Sequence, residues 1–135
     1  MAKQKIYSPN QVMAGALLGG PMAMVYLLWK NFQVLENPHG MRQILIWGSI
    51  FIITMVGFAP LLPTNWPDYA LPILYSLGAR SLAESFQMSK QAIGESLDYE
   101  FQSAWNVIAV SIVFLLAMIA FTLALLLGLA TIGLI

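Results

Sequence analysis

Arg80 and Glu84 stand four residues apart beside an apolar run, the spacing that lets a guanidinium and a carboxylate meet on one helix face. Inside a membrane such a pair would mark a functional position, because a charge removed from water is expensive to keep. Glu84 would then be the one carboxylate at membrane depth able to pass a proton or an ion. The competing reading is an interfacial ion pair, with the arginine carrying its charge outward along its methylene stem. Other chemistry is thinly provided. His39, between Pro38 and Gly40, reads as a solvated turn residue with no second histidine to build a metal site. Glu95, Asp98 and Glu100 lack the spacing of a calcium loop. The chain has no cysteine, which excludes disulfides, thiolate metal sites and a thiol nucleophile. It also has no GxSxG, no HExxH and no phosphate-cradling glycine loop. No catalytic, cofactor-binding or metal-binding residue is assigned, and the chain does not read as an enzyme.

A second cluster points to packing rather than reaction. Within "QVMAGALLGGPMAMVYLLW", Gly15 and Gly19 form a GxxxG, and Ala16 with Gly20 repeats the small-residue spacing one position on. On a helix these residues leave a strip without side chains, along which a second helix can approach closely in lipid. Pro21 supplies no amide to the carbonyl of Leu17 and predicts a kink there. Gly15, Ala16, Gly19, Gly20 and Pro21 are therefore read as a close, kinked helix–helix contact. The alternative is a broken helix lining an ion or substrate site at mid-membrane.

The elements that must position these residues follow from composition. Of 135 residues, 59% are hydrophobic and 9% charged, against about 25% charged in soluble domains. The few charges cluster, which leaves uncharged runs at residues 6–29, 43–67 and 101–135. Each run exceeds the roughly 20 residues that cross a hydrocarbon core of about 30 Å. The expectation is one all-α, polytopic membrane domain over residues 1–135, with helices near 10–30, 42–62, 69–97 and 104–133. Trp29, Lys30, Trp47, Trp66 and Trp105 fall where interfacial anchors belong. Lys3 and Lys5 precede the first apolar run, which reads as a retained span rather than a signal peptide. Zero net charge and the absence of a basic patch argue against a nucleic-acid partner.

The segment from Tyr69 to Leu97 differs from the others. Leu71, Leu74, Gly78, Leu82, Phe86, Ile93 and Leu97 form an apolar stripe at helical spacing, and Arg80, Glu84, Gln87, Gln91 and Glu95 recur on another face. Asp68 is a candidate N-cap, with Pro72 in the first turn. One long amphipathic helix is expected, most apolar at its start. Whether it crosses is undecided by charge. If it crosses, Lys30, Arg42, Arg80 and Lys90 share a side against Lys3 and Lys5; a surface helix gives the same four-to-two split with other members. The tight connection after the second segment favours a fourth crossing.

"YSPNQVMAGALLGGPMAMVYLLWKNF" resembles the opening of a family of small, uncharacterised bacterial membrane proteins. Its members share a serine-proline start, a glycine-glycine-proline segment and a tyrosine-leucine-leucine ending. The likeness extends to "LPILYSLGARSLAE" and "SAWNVIAVSI". It implies a multi-pass protein of a bacterial inner membrane with four helices, and it transfers no catalytic residue.

The expected role is that of a structural or accessory subunit, in contact with the lipid bilayer and packing against its own copies or another membrane protein. A small homo-oligomeric channel or transporter is the alternative. Ser49, Thr54, Ser111 and Thr122, the hydroxyls within the expected spans, are too few and scattered to outline a pathway.

Overall fold

The computed structural model describes residues 3–58 and 61–134. A short strand β1 (Gln4–Ile6) leads into helix α1 (Pro9–Val34), followed by α2 (Pro38–Phe58), α3 (Ala70–Phe86), α4 (Lys90–Glu95), strand β2 (Tyr99–Phe101) and α5 (Ala104–Thr131). The all-helical expectation holds, apart from the two three-residue strands. By length and composition alone, three helices, α1, α2 and α5, are long and apolar enough to cross a membrane.

Helix α1 starts where its sequence says it should. The Ser8 hydroxyl accepts from the amide of Gln11, the Ser8 amide donates in return to Gln11 Oε1, and Pro9 occupies the first turn. The helix then does something a kink does not describe. Gly20 leaves the helical region entirely, at φ 81° and ψ −171°. A straight helix would hold Gly15 and Leu27 about 18 Å apart, yet a Cβ built on Gly15 would run into the Leu27 side chain. One built on Gly19 would lie 2.5 Å from the Cβ of Ala23. At the far end Asn31 bonds to the backbone of Tyr7. These pairings are antiparallel: α1 is a helical hairpin. Its first arm ends at Gly19 and its second begins at Pro21.

Only glycine tolerates the backbone angles found at Gly20. Pro21 follows as the first residue of the second arm, where its fixed φ is suited and its missing amide costs nothing. Proline therefore starts a helix here rather than bending one. The arms measure about 16 and 21 Å at 1.5 Å per residue, so both ends of α1 emerge on the same side of the molecule.

The hairpin is the hub. Helices α2, α3 and α5 each pack along α1 more extensively than on one another, and α2 meets α3 through the edge-on rings of Phe51 and Tyr75. Val12, Ala16, Met24, Leu27 and Leu28 of the hairpin form the buried core, with Ala79 and Ala83 of α3 and Val107 of α5. Helix α2 runs antiparallel to the second arm, with Gly40 under the ring of Phe32 and Gly48 against Val25. It opens earlier than the expected 42–62, because Asn37 Oδ1 accepts from the Gly40 amide at 2.9 Å and Pro38 sits in its first turn. Its expected end beyond Phe58 runs into residues 59–60, which lie outside the described residues.

The long helix expected over residues 69–97 is two helices. Gln87 breaks it at φ −121° and ψ −122°, and Ser89 caps α4 through a 3.2 Å bond from the Ala92 amide. The N-cap of α3 is Tyr69, without a side-chain bond, rather than Asp68. The burial of α3 also inverts the expected stripe. Leu74, Leu82 and Phe86 are exposed, Phe86 at 67%, whereas Ser76, Ala79 and Ala83 are buried against the rest of the fold. Small residues let α3 approach the hairpin backbone closely, and large apolar ones stay outside, the ordering expected where the surrounding solvent is itself apolar.

Strands β1 and β2 pair in parallel, Gln4 with Tyr99, Lys5 with Glu100 and Ile6 with Phe101. This short ladder ties the chain start to the segment that precedes α5. Glu95, Asp98 and Glu100 are exposed around it.

A polar clamp at the mouth of the hairpin as candidate functional site

The densest polar chemistry in the fold lies where the two arms of α1 open. Asn31 is wholly buried, and a buried amide must find partners. Its Oδ1 accepts from the Tyr7 amide at 2.9 Å, and its Nδ2 donates to the Tyr7 carbonyl at 2.9 Å and to Gln87 Oε1 at 2.8 Å. Gln87 completes the loop by donating from Nε2 to the Leu28 carbonyl at 2.8 Å. One asparagine thus fastens the first arm to the second, and one glutamine fastens both to the end of α3. The break in the expected long helix has its cause here: Gln87 turns out of α3 and into the clamp.

Helix α5 is tied to the same end. The Tyr7 hydroxyl donates to Asn106 Oδ1, and Gln11 Nε2 donates to the Gln102 carbonyl. Burial, with Tyr26 as a smaller cause, pushes the Tyr7 phenol up to about 12. An unfolded chain releases this proton near 10.0. Between those values the unfolded state binds fewer protons, so rising pH favours unfolding; below about 10 both states are neutral and the effect vanishes. Tyr7→Phe is expected to remove this alkaline loss while keeping the ring, which melting temperatures at about pH 9 and about pH 11 in wild type and variant will check.

Below the clamp runs a seam of small residues. Gly15, Ala16, Gly19 and Pro21 are buried and Gly20 is partly so. A Cβ on Gly19 would stand 2.8 Å from both the Cα and the carbonyl oxygen of Ser111 in α5. Ser111 is buried and its hydroxyl donates to the Val107 carbonyl at 2.7 Å, one turn back in its own helix. Gly20 lies at the tip beside Met118. Of the five residues singled out for packing, Gly15 and Gly19 thus lie between the second arm and α5, Gly20 lies at the tip, Ala16 is in the buried core and Pro21 opens the second arm. Phe114 of α5 stacks on Tyr26 at 4.8 Å between centroids.

Arg80 and Glu84 sit on the clamp side of α3 and line one open groove with Pro9, Lys90 and Glu95. Among the described residues Arg80 Nε is buried without a hydrogen-bond partner, Glu84 included, and Glu84 is exposed. His39 is exposed in the first turn of α2. Among the described residues no three His, Asp or Glu side chains converge as a metal site.

Protein families, curated proteins and solved structures contain no match to this chain.

The sequence assigned no role to Asn31 or Tyr7, and it offered Gln87 only as part of a polar helix face and Ser111 only as a hydroxyl within a span. Asn31 pairs with residues 24 and 56 positions away, and no local spacing announces such partners. The one available signal was the presence of amide side chains next to the apolar runs.

Proposed function

We propose that this protein is a structural or accessory subunit of a membrane, built on a re-entrant hairpin and acting through packing. In this arrangement α1 enters the bilayer and returns to its own side, while α2, α3 and α5 cross. The N-terminus then lies in the cytoplasm and the C-terminus outside. Charge supports the orientation. Lys3, Lys5, Lys30, Arg42, Arg80 and Lys90, all six cations of the chain, belong to the clamp half, and the opposite end carries only Asp68. A four-to-two tie becomes six to none once α1 turns back, and an excess of Lys and Arg marks the cytoplasmic side.

One observation carries the packing role. The amide side chains inside the fold bond one another and close the hairpin, while the outer faces of α2 and α5 are apolar and uncovered, with Trp47, Ile53, Val113, Leu116 and Leu127 exposed. Such faces suit lipid tails and the helices of a partner. A channel or carrier formed between copies is the second reading. It draws on α2, α3 and α5, which pack on the hairpin more than on one another.

With no native cysteine, single cysteines report sidedness cleanly. Cysteines at Lys3, His39 and Ser96 are expected to react from one side of sealed vesicles and a cysteine at Asn65 from the other. Lys3 reacting together with Asn65 would mean that α1 crosses and that the hairpin does not survive in the bilayer. For function, the mass of the assembly released in mild detergent should exceed that of one chain, and reconstituted vesicles should show no specific ion flux. A flux changed by Glu84→Gln would favour the carrier.

A further inference from the structure

We propose that the groove between α3, α4 and the start of α1 binds the headgroup of a zwitterionic phospholipid carrying phosphoethanolamine. This rests on the membrane orientation above, which puts the groove at the level of the lipid headgroups. The groove encloses about 700 Å³ and is lined by two cations, Arg80 and Lys90, and two carboxylates, Glu84 and Glu95. Its charges sum to zero, yet both signs are present in hydrogen-bonding form. That pattern complements a headgroup with one phosphate and one primary ammonium, and it leaves the two carboxylates without a partner when the headgroup is purely anionic. Arg80 supplies the pointed observation: it is half-buried on the groove, and its Nε has no partner among the described residues. A guanidinium so placed lacks an acceptor, and a phosphate oxygen is the acceptor its fork matches best. Glu84 and Glu95, both exposed on the groove, are placed to accept from the ammonium.

The groove also continues into a place for a tail. Asn10 lines it and also lines a narrower apolar furrow of about 230 Å³ between the first arm of α1 and α5. Ala14, Leu18, Val107 and Ile108 form the walls of that furrow. The furrow follows the first arm down from Asn10 to Leu18, so a headgroup in the groove can lay one acyl chain along the hairpin. A polar cup joined to an apolar channel at interfacial depth is the shape of a phospholipid rather than of a free phosphate.

The test is native mass spectrometry of the detergent-purified protein offered phosphatidylethanolamine, phosphatidylcholine or phosphatidylglycerol. Retention of phosphatidylethanolamine should exceed that of the other two by about tenfold, the worth of one charge-assisted hydrogen bond at a half-exposed site. Phosphatidylcholine has the positive charge but no N–H to give Glu84 or Glu95, and phosphatidylglycerol has no ammonium. Arg80→Gln should abolish the preference. Lys90→Gln, at an exposed position where folding is not at stake, should weaken retention several-fold. Soluble phosphoethanolamine should not displace the lipid at equal concentration. Equal retention of the three lipids, no change in Lys90→Gln, or displacement by the soluble headgroup would each overturn the proposal. Cysteine labelling at Lys3 and Asn65 in sealed vesicles reports the membrane orientation separately, so a failure of the lipid site is not confused with a failure of the topology.

Discussion

Replacing Gly19 with leucine will cost the fold at least ~3 kcal/mol, the upper part of the range for overpacked cores. The reason is the kind of atom in the way. A side chain at Gly19 meets the Cα and carbonyl oxygen of Ser111 at 2.8 Å and the Cβ of Ala23 at 2.5 Å. Backbone on one side and a Cβ on the other cannot swing aside as the end of a long side chain can. Both the close approach of α5 and the closure of the hairpin are lost together. Gly20→Ala separates space from backbone. The nearest outside atom to its Cβ is Met118 Cγ at 4.0 Å, so there is room, but alanine must still adopt φ 81° and ψ −171°. That strain is expected to cost about 1–3 kcal/mol. Pro21→Ala should be milder, under about 1 kcal/mol, since alanine starts a helix nearly as well and the effect is mainly on the unfolded chain. Leu17→Ile, at an exposed position, serves as the control. Thermal melting in detergent ranks the four. A neutral Gly20→Ala would show that the chain does not reverse there, and wild-type melting of Gly19→Leu would show that the glycine seam is not tightly packed.

Asn31→Leu is the second large effect. Leucine matches asparagine in shape, so packing is retained while the clamp's chemistry is removed. The Tyr7 amide, the Tyr7 carbonyl and Gln87 Oε1 lose their partner in a buried place. At about 1–3 kcal/mol for each group left unsatisfied, with some relief from water entering the interface, a loss of about 4 kcal/mol is expected. Gln87→Leu should cost less, because it leaves the two bonds between Asn31 and Tyr7 in place. Asn31→Asp keeps the acceptor for the Tyr7 amide but loses both donors and buries a carboxylate against two acceptor oxygens, so it should cost at least as much as Asn31→Leu. Hydrogen exchange at the Tyr7 amide reads the clamp directly. Its protection should drop in Asn31→Leu before the helices of the fold open. Unchanged protection would mean that β1, not Asn31, holds the chain start in place.

Much of this fold is legible in the sequence for reasons that are local. Ser8, Pro9 and Gln11 start α1 by satisfying amides within one turn, a matter of three neighbouring residues. The apolar runs of α2 and α5 are helical because an uncharged stretch of that length has no other way to satisfy its backbone away from water. Gly15, Gly19, Gly20 and Pro21 together announce close packing and an interrupted helix, since those are the things these residue types permit.

Tertiary structure decided three further matters. Glycine and proline allow a kink and a reversal alike, and the choice fell to Asn31, whose amide finds the Tyr7 backbone only when the arms fold together. On α3, hydrophobicity pointed the leucine stripe inward, but close approach to a hairpin backbone selects for small side chains, so Ala79 and Ala83 face the protein and Leu74 and Phe86 do not. The charge count was tied because it depends on which ends of α1 share a side. That relation is set by one glycine dihedral and by bonds spanning 24 and 56 residues, and contacts so distant leave no periodic trace along a single chain.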